Sequence, residues 1–439
     1  MEKFIINGGK KLRGEIRVSG AKNVALKALV AACLTSEEVI IDNVPHILDV
    51  FTMIEIIKDL GGKAIMRDHT VTVRVDTLRT KIPFDKAVEV RTSSMFLAPL
   101  LARAKEAIVP NPGGCRIGAR PINRIIKGLR QMGAIITYNS KDGYFHAKAK
   151  QLKGVTYEFK KNTHTGTETM IMASVLAKGK TILKNAALEP EIDELIAFLN
   201  GMGAKIKRHL RTITIEGVEE LHGAHFTIGP DRNEAVTYAI AGIITEGEVI
   251  VDGILAKDIK EFLGVLDKAG GGYEEKADGM RFFYKGKLKP TDISTSCYPG
   301  FMTDWQSPWA VLMTKAKGTS SIHETVFESR FGYVEELKKM GAHIAFFNPK
   351  VDDPKRVYNF NLSDAKKDSY HAISVSGPAK LHNAVVNITD LRAGATLVLA
   401  SLAGSGTSVV FGAEKLDRGY EKFDKCLVRL GADIKRVKD

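Results

Sequence analysis

Six stretches of the chain are apolar nearly all the way round when they are drawn as helices. They are VALKALVAACL, SMFLAPLLARA, TMIMASVLA, AVTYAIAGIIT, SPWAVLMTKA and GATLVLASLA. A helix without a polar face has to be surrounded by other elements, so we predict that all six are buried. Each is followed by a turn and a short run of β-favouring residues, such as GEVIVDG or TSVVFG, which predicts a strand.

A second pattern, a bulky residue followed by glycine and a small residue, ends six amphipathic stretches such as YVEELKKMGA. Its glycines are Gly61, Gly133, Gly203, Gly270, Gly341 and Gly431, spaced 72, 70, 67, 71 and 90 residues apart. Glycine readily adopts the left-handed conformation found just beyond a helix end, so we predict that each caps a helix and leads into a strand. A polar, proline-containing insertion at 347–372 accounts for the longest interval and predicts a surface excursion.

This repetition predicts an α/β fold made of six βαβαββ-like repeats, three in each of two domains. Helices would lie inside and sheets outside, as an inside-out α/β barrel. We expect one domain at 22–229 and a second formed by 1–21 together with 230–439. Solenoid stacking is the alternative, although solenoid repeats usually have about 20 to 50 residues.

Composition narrows the function classes. No run approaches the roughly 20 apolar residues of a membrane-spanning helix, and the first residues lack a signal-peptide core, so we expect a cytoplasmic protein. The four cysteines are scattered without disulfide or zinc spacing, and we expect no metal or cofactor. The formal net charge is +13, from 64 Lys and Arg against 51 Asp and Glu. Basic blocks interleaved with aromatics are missing, which favours a small anionic substrate over nucleic acid, with scattered surface charge as the alternative for most of these residues.

Polar segments stand before the six buried helices: SGAKN, EVRTSS, NTHTGTET, GPDRNE, GFMTDWQ and ITDLRAG. Helix starts carry unpaired N–H groups and a positive dipole end. Simple capping is therefore the alternative interpretation for Asp231, Asp304 and Asp390. Capping does not explain cations at these positions, which need an anion or a carboxylate as an offset. Those cations are Lys22, Arg91 and Arg392.

Three loops carry arginine at related positions, namely NPGGCRIGARP with Arg120, HETVFESRF with Arg330 and GAEKLDRGYE with Arg418. If these loops converge, they gather the guanidinium groups that a phosphate and a carboxylate require. Cys115 lies beside arginine in the first loop, and such surroundings lower the pKa of a thiol and make it reactive. The glycines of this loop would let it close as a lid, although a small residue that merely fills a turn remains the alternative.

These strings together resemble the enolpyruvyl transferases, over essentially the whole chain. The resemblance is carried, in order, by SGAKN, PGGCRIGARP, PDRNE, TDWQ, ETVFESRF, TDLRAGA and DRGYE. It implies that phosphoenolpyruvate and a UDP-sugar bind in a cleft between the two domains. It further implies enolpyruvyl transfer to the 3-hydroxyl of UDP-N-acetylglucosamine, with no nucleic-acid, membrane or obligate protein partner. A different nucleoside or sugar acceptor, or a catalytically silent ligand-binding homologue, is the alternative.

The resemblance also implies residue roles. Lys22, Arg120 and Arg418 would hold phosphoenolpyruvate, with Arg91 and Arg392 nearby, and Asn23 would contact the sugar. Asp304 would take the proton of the acceptor hydroxyl. Cys115 would protonate the methylene carbon, form a covalent adduct, or do both. The remaining expected substrate-binding residues are Pro121, Ile122, Asn123, Arg124, Lys161, Thr163, His164, Thr165, Asp231, Glu328, Arg330 and Asp390.

Two segments depart from the family pattern. After Pro121 and Ile122 the family usually has an acidic residue, an apolar residue and a histidine, but this chain has Asn-Arg-Ile at 123–125. The second, usually a lysine and a Ser-Val-Gly-Ala-Thr-like turn, is KKNTHTGTE and one residue longer, so Lys161 is the expected counterpart. Both lie where the nucleotide is expected. Our hypotheses are that Arg124 meets the diphosphate and that His164 replaces the missing histidine, with surface variation as the alternative.

Overall fold

The computed structural model describes residues 2–113, 121–366 and 369–438. Cys115 and Arg120 lie outside the described residues. The described chain forms two compact units. We call residues 20–113 with 121–229 the N-terminal unit, and residues 2–19 with 230–438 the C-terminal unit.

The α-helices of the described residues are numbered in chain order. They are α1 Lys22–Ala32, α2 Leu48–Asp59, α3 Phe84–Glu89, α4 Leu97–Pro99, α5 Asn123–Gln131, α6 His164–Ser174, α7 Pro190–Gly201, α8 Arg232–Ile244, α9 Lys260–Ala269, α10 Gln306–Met313, α11 Val334–Lys339, α12 Pro354–Val357, α13 Leu391–Ala403 and α14 Phe423–Arg429. The 3₁₀ or π turns of the described residues are Arg91–Phe96, Leu100–Ala104, Ala256–Ile259, Thr303–Trp305, Leu362–Asp364 and Ala413–Arg418.

The strands are numbered in the same way. They are β1 Glu2–Asn7, β2 Arg13–Arg17, β3 Val39–Asp42, β4 Lys63–Arg67, β5 Thr70–Arg74, β6 Glu106–Pro110, β7 Ile135–Asn139, β8 Tyr144–Lys148, β9 Thr156–Glu158, β10 Lys180–Lys184, β11 Lys205–His209, β12 Thr212–Glu216, β13 His225–Thr227, β14 Glu248–Asp252, β15 Gly272–Lys276, β16 Gly279–Phe283, β17 Ile293–Ser294, β18 Gly318–His323, β19 His343–Phe347, β20 Ala372–Gly377, β21 Val385–Asn387, β22 Thr407–Phe411 and β23 Asp433–Lys438.

The apolar helices are buried, as predicted. Every residue of α8 is buried, and α13 is buried from Arg392 to Leu402. Strands such as β12 and β14 bury only alternate residues, so one face of each sheet packs on the helices and the other is more open. Within each unit the helices therefore lie inside and the sheets outside, which confirms the α/β class.

One of the six predicted helices is not regular. The stretch from Arg91 to Ala104 is divided into a 3₁₀ turn, the short α4 and a π turn. Pro99 lies in the middle of it and has no N–H to donate to the preceding turn, which accounts for the interruption.

The described strands form six sheets, and five of them share one arrangement. In the sheet that contains β14, this strand is parallel to β2 and antiparallel to β16, and β16 is antiparallel to β15. The sixth sheet has the order β6-β8-β7, and an isolated parallel bridge from Lys81 to Ile108 stands beside β6. Strand β1 lies between β22 and β23, with Ile5 opposite Val409 and Lys435, so both ends of the described chain contribute to one sheet.

The six predicted capping glycines all have positive φ. Their φ angles are 93° at Gly61, 96° at Gly133, 98° at Gly203, 78° at Gly270, 88° at Gly341 and 92° at Gly431. Each follows a helix and precedes a strand, so this prediction is confirmed. None of the helices between residues 2 and 438 that the structure describes is long and apolar enough to cross a membrane.

Helix α9 offers a matched test of the glycine cap. Gly264 lies in its exposed interior and Gly270 just beyond its end, and a Cβ added at either would meet nothing within 4 Å. We expect Gly270→Ala to lower the free energy of unfolding by about 1 kcal/mol, because its φ is left-handed. Gly264→Ala should raise it by about 0.5 kcal/mol or more, because alanine favours the helix.

Urea unfolding followed by tryptophan fluorescence measures this difference. Both tryptophans, Trp305 and Trp309, are buried in the C-terminal unit, so the signal reports on the unit that contains α9. Equal stability of the two variants would contradict the capping role of Gly270.

Candidate functional site

At the start of α1, the lysine predicted from the sequence is paired with a carboxylate. Lys22 Nζ lies 2.7 Å from Asp49 Oδ2, and the two side chains are 13% and 7% exposed. Asp49 belongs to the first turn of α2, where the helix dipole also favours negative charge. Asp49 therefore supplies at least part of the negative charge that offsets the positive charge of Lys22 at this helix start. The sequence alone did not point to Asp49.

The start of α6 carries a buried ionic cluster. Thr163 caps the helix by accepting a hydrogen bond from the backbone N–H of Gly166 at 3.2 Å. One turn further on, Glu168 Oε1 lies 3.1 Å from His164 Nε2, and Glu168 Oε2 lies 3.6 Å from Lys27 Nζ of α1. Burial opposes the charge on the imidazole, but the Glu168 carboxylate outweighs it and raises the pKa of His164.

The two segments that depart from the family pattern contact each other. Arg124 Nη1 donates a hydrogen bond to the backbone oxygen of Asn162 at 3.2 Å. The Tyr157 hydroxyl donates to the backbone oxygen of Arg124 at 2.8 Å. The cations Arg124, Lys161 and His164 therefore belong to adjoining segments of one surface of the N-terminal unit.

In the C-terminal unit, Asp304 is held by two arginines. Arg330 Nη2 donates to Asp304 Oδ1, and Arg392 Nη2 lies 3.7 Å from Asp304 Oδ2. Both guanidinium groups are nearly buried, whereas Asp304 is 23% exposed. Burial disfavours the charge on Arg392, but Tyr420 and the carboxylates of Asp304 and Asp231 outweigh it and raise its pKa. The structure thus brings together three residues that the sequence placed on two separate segments and one loop.

Two of the three candidate aspartates cap helices. Asp231 accepts hydrogen bonds from the backbone of Asn233 and Glu234 at the start of α8, at 2.8 and 3.1 Å. Asp390 accepts from the backbone of Arg392 and its neighbour at the start of α13, at 3.0 and 3.1 Å. Asp304 instead lies within the 3₁₀ turn Thr303–Trp305 and engages side chains.

A buried carboxylate that sequence reasoning missed fixes the surroundings of Asp304. Glu324 follows β18 and accepts hydrogen bonds from Thr303 Oγ1 at 2.8 Å and from Gln306 Nε2 at 3.0 Å. Its other oxygen accepts from the backbone N–H groups of Val326 and Phe327 at 2.8 and 3.0 Å. Glu324 therefore ties the turn that carries Asp304 to the loop that carries Arg330.

Most of the remaining predicted residues within the described ranges lie at helix starts or in adjoining loops, whereas Arg418 ends the turn Ala413–Arg418. Asn23, Arg91, Thr165 and Arg418 are partly exposed, Pro121 and Asn123 are exposed, and Ile122 and Glu328 are buried.

Two of the four cysteines are unsuited to chemistry at the site. Burial raises the pKa of the Cys33 thiol to about 12, and burial also raises that of Cys426. Within the ranges that the structure describes, no three His, Cys, Asp or Glu side chains are grouped so that they could hold a metal ion.

Comparisons with known proteins agree on one family. The sequence profile of EPSP synthase (3-phosphoshikimate 1-carboxyvinyltransferase) matches residues 6–427. The chain is 43% identical to UDP-N-acetylglucosamine 1-carboxyvinyltransferase of Bartonella henselae, with all of both chains covered. It is 42% identical to the protein of the same name from Acidobacterium capsulatum, covering 100% of this chain and 96% of that one. Among solved structures, the enolpyruvyl transferase NikO from Streptomyces tendae matches with a TM-score of 0.86 and 26% identity, over 100% of this chain and 99% of that one.

A buried acid beside the Asp231 cap makes stability depend on pH. Glu234 accepts a hydrogen bond from the backbone N–H of Ser19 at 2.7 Å, and burial together with the charge of Asp231 raises its pKa to about 8. The folded protein therefore keeps a proton that the unfolded chain releases above its ordinary value of 4.5. Stability from this group is complete below that value and declines as the pH rises toward 8.

We expect Glu234→Gln to gain stability over the wild type progressively between pH 5 and pH 8, because glutamine does not ionise. Urea unfolding followed by tryptophan fluorescence at several pH values measures the difference. Glu275→Gln, which changes an exposed glutamate of the same unit, is the control. A stability difference between Glu234→Gln and wild type that stays constant with pH would show that Glu234 is ionised throughout.

Proposed function

This chain belongs to the EPSP synthase family of enolpyruvyl transferases, and we propose that it acts on phosphoenolpyruvate and UDP-N-acetylglucosamine. The enolpyruvyl group would pass to the 3-hydroxyl of the sugar and inorganic phosphate would leave. This transfer is the first committed step of peptidoglycan precursor synthesis.

The observation that carries the proposal is the full-length identity of 43% to an enzyme named for this acceptor. The matching EPSP synthase profile is itself named for a different acceptor, 3-phosphoshikimate. A different nucleoside or sugar acceptor is the second candidate, because the chain departs from the family at 123–125 and 160–168, where the nucleotide is expected.

We propose that the donor is held by cations. Phosphoenolpyruvate carries a phosphate and a carboxylate, and Lys22, Arg120 and Arg418 would bind them, with Arg91 and Arg392 nearby. Guanidinium groups bind such oxyanions through paired hydrogen bonds. Fixed cations of this kind stabilise developing negative charge without any metal ion.

At the acceptor, Asp304 would receive the proton of the 3-hydroxyl, and Asn23 would contact the sugar. The two guanidinium groups beside Asp304 favour its carboxylate form. They also weaken it as a base, but the hydroxyl becomes strongly acidic as its oxygen bonds to C2 of phosphoenolpyruvate. A weak base in the right position is therefore enough.

Cys115 would supply the proton that C3 of phosphoenolpyruvate gains as the acceptor oxygen adds to C2. The resulting tetrahedral adduct then loses a proton from C3 and expels phosphate, which restores the carbon–carbon double bond as an enolpyruvyl ether. The role rests on the sequence, where the thiol stands in PGGCRIGARP, preceded by two glycines and followed by two arginines.

Incubation of the protein with phosphoenolpyruvate and UDP-N-acetylglucosamine, followed by mass spectrometry, tests the proposal. We expect a UDP-sugar that carries one enolpyruvyl group, together with one equivalent of inorganic phosphate. Parallel reactions with UMP, UDP-glucose and 3-phosphoshikimate measure acceptor preference. Product only with another acceptor would overturn the assigned substrate, and no product or phosphate with any of them would indicate a silent homologue.

We expect Cys115→Ala and Asp304→Asn each to lower turnover about a hundredfold or more, the usual contribution of a positioned acid or base. Steady-state phosphate release measures this. Cys297→Ala, which removes a thiol from the loop between β17 and α10, is the matched control and should retain wild-type turnover. Near-normal turnover of either site variant would remove that residue from the mechanism.

A further inference from the structure

The buried side chain of Glu168 has an unusual environment. It is fully buried inside α6, and neither carboxylate oxygen accepts a hydrogen bond of good geometry. A buried carboxylate without hydrogen bonds is costly unless charges of the opposite sign compensate it. Its compensation comes from His164 on one side and Lys27 on the other.

The charges around this cluster favour a proton on His164. The groups that face the imidazole are Glu168 of its own helix, Lys27 of α1 and Glu189, which directly precedes α7 and is 8% exposed. Two buried carboxylates and one ammonium leave a deficit of one positive charge, which an imidazolium fills. Accordingly, the carboxylates outweigh burial and Lys27, and the pKa of His164 is raised.

The geometry directs the other edge of the ring outward. His164 Nε2 is buried against Glu168, yet the side chain as a whole is 24% exposed. The exposed part of the side chain therefore lies away from Nε2, at the first turn of α6. This turn is joined through Asn162 to Arg124, in the segment where the nucleotide is expected.

We propose that Glu168 is a positioning residue that holds His164 as an outward-facing imidazolium, which donates a hydrogen bond to a phosphoryl oxygen of the nucleotide-sugar acceptor. Lys27 supplies the counter-charge that lets Glu168 remain buried. This inference rests on the proposed function, because it concerns the acceptor of that reaction.

The chemistry of the two ring forms explains why the proton matters. A neutral imidazole whose buried nitrogen carries the hydrogen presents a lone pair to the ligand, which repels a phosphate oxygen. The imidazolium presents an N–H donor and a positive charge instead. The start of α6 adds the partial positive charge of the helix dipole.

The raised pKa of His164 predicts how acceptor binding depends on pH. The imidazolium is present below the raised pKa of His164 and is lost as the pH rises through it. We therefore expect the KM for UDP-N-acetylglucosamine to rise over that range in the wild type, while the KM for phosphoenolpyruvate does not follow it.

Glu168→Gln, His164→Gln and the double variant test the pairing. Near neutral pH each single variant should raise the KM for the acceptor about tenfold, the typical cost of one charge-assisted hydrogen bond, with turnover nearly unchanged. The double variant should be no worse than His164→Gln alone, because both changes remove the same interaction. His146→Gln is the control. It breaks another His–carboxylate pair with a four-residue spacing, His146–Asp142 at 2.8 Å, which lies in the hairpin of β7 and β8.

Imidazole titration by NMR, assigned with His164→Gln, gives a readout that is independent of activity. We expect the pKa of His164 to exceed that of an ordinary histidine in the wild type and to fall in Glu168→Gln. If Glu168→Gln does not fold, the wild-type titration of His164 and the acceptor KM of His164→Gln still test the inference. Unchanged acceptor KM in His164→Gln, or an ordinary wild-type pKa, overturns the inference. Absence of any product with wild-type enzyme and a nucleotide-sugar overturns the proposed function instead.

Discussion

Several charged side chains of the candidate site lie at or near the starts of helices that are buried along most of their length. A helix enclosed on all sides exposes only its ends, so its functional groups have to gather there. A cation at the start of a helix opposes the dipole and requires a carboxylate or an anionic ligand beside it. The pairing of Lys22 with Asp49 and the cluster of Lys27, Glu168 and His164 show how the N-terminal unit meets this requirement.

The C-terminal unit meets the same requirement with the signs arranged differently. Asp304 is the partly exposed carboxylate there, and the nearly buried Arg330 and Arg392 surround it. Glu324, with four hydrogen bonds, fixes the turn and the loop that carry Asp304 and Arg330. Because these supporting contacts are wholly or partly buried, they hold the turn and the loop in position.

Much of the fold could be predicted because its signals are local. A helix that is apolar on all sides and a glycine beyond a helix end are each visible in about ten residues, and the structure has the buried helices and the six left-handed glycines. The interruption around Pro99 was not predicted, although the proline is a local signal for it, because the apolar pattern of the stretch matched that of the other buried helices. The family resemblance then suggested the candidate site segments through strings such as TDWQ and ETVFESRF.

The partners of the site residues could not be predicted in the same way. Asp49, Glu168 and Glu324 lie on other elements or inside apolar patterns, and only tertiary packing brings them to Lys22, His164 and the turn of Asp304. Glu168 in particular stands in TETMIMAS, where nothing in the sequence distinguishes it from a solvent-facing residue. Capping was likewise one of two interpretations for Asp231 and Asp390 until the backbone hydrogen bonds at α8 and α13 were seen.

A crystal structure of the protein with phosphoenolpyruvate and an acceptor analogue that lacks the 3-hydroxyl tests the central claim most directly. The account predicts donor oxygens within about 3 Å of Lys22 Nζ and of the Arg418 guanidinium, with the 3-position of the sugar facing Asp304. A donor bound away from Lys22 and Arg418, with Lys22 contacting Asp49 but no ligand oxygen, would contradict it.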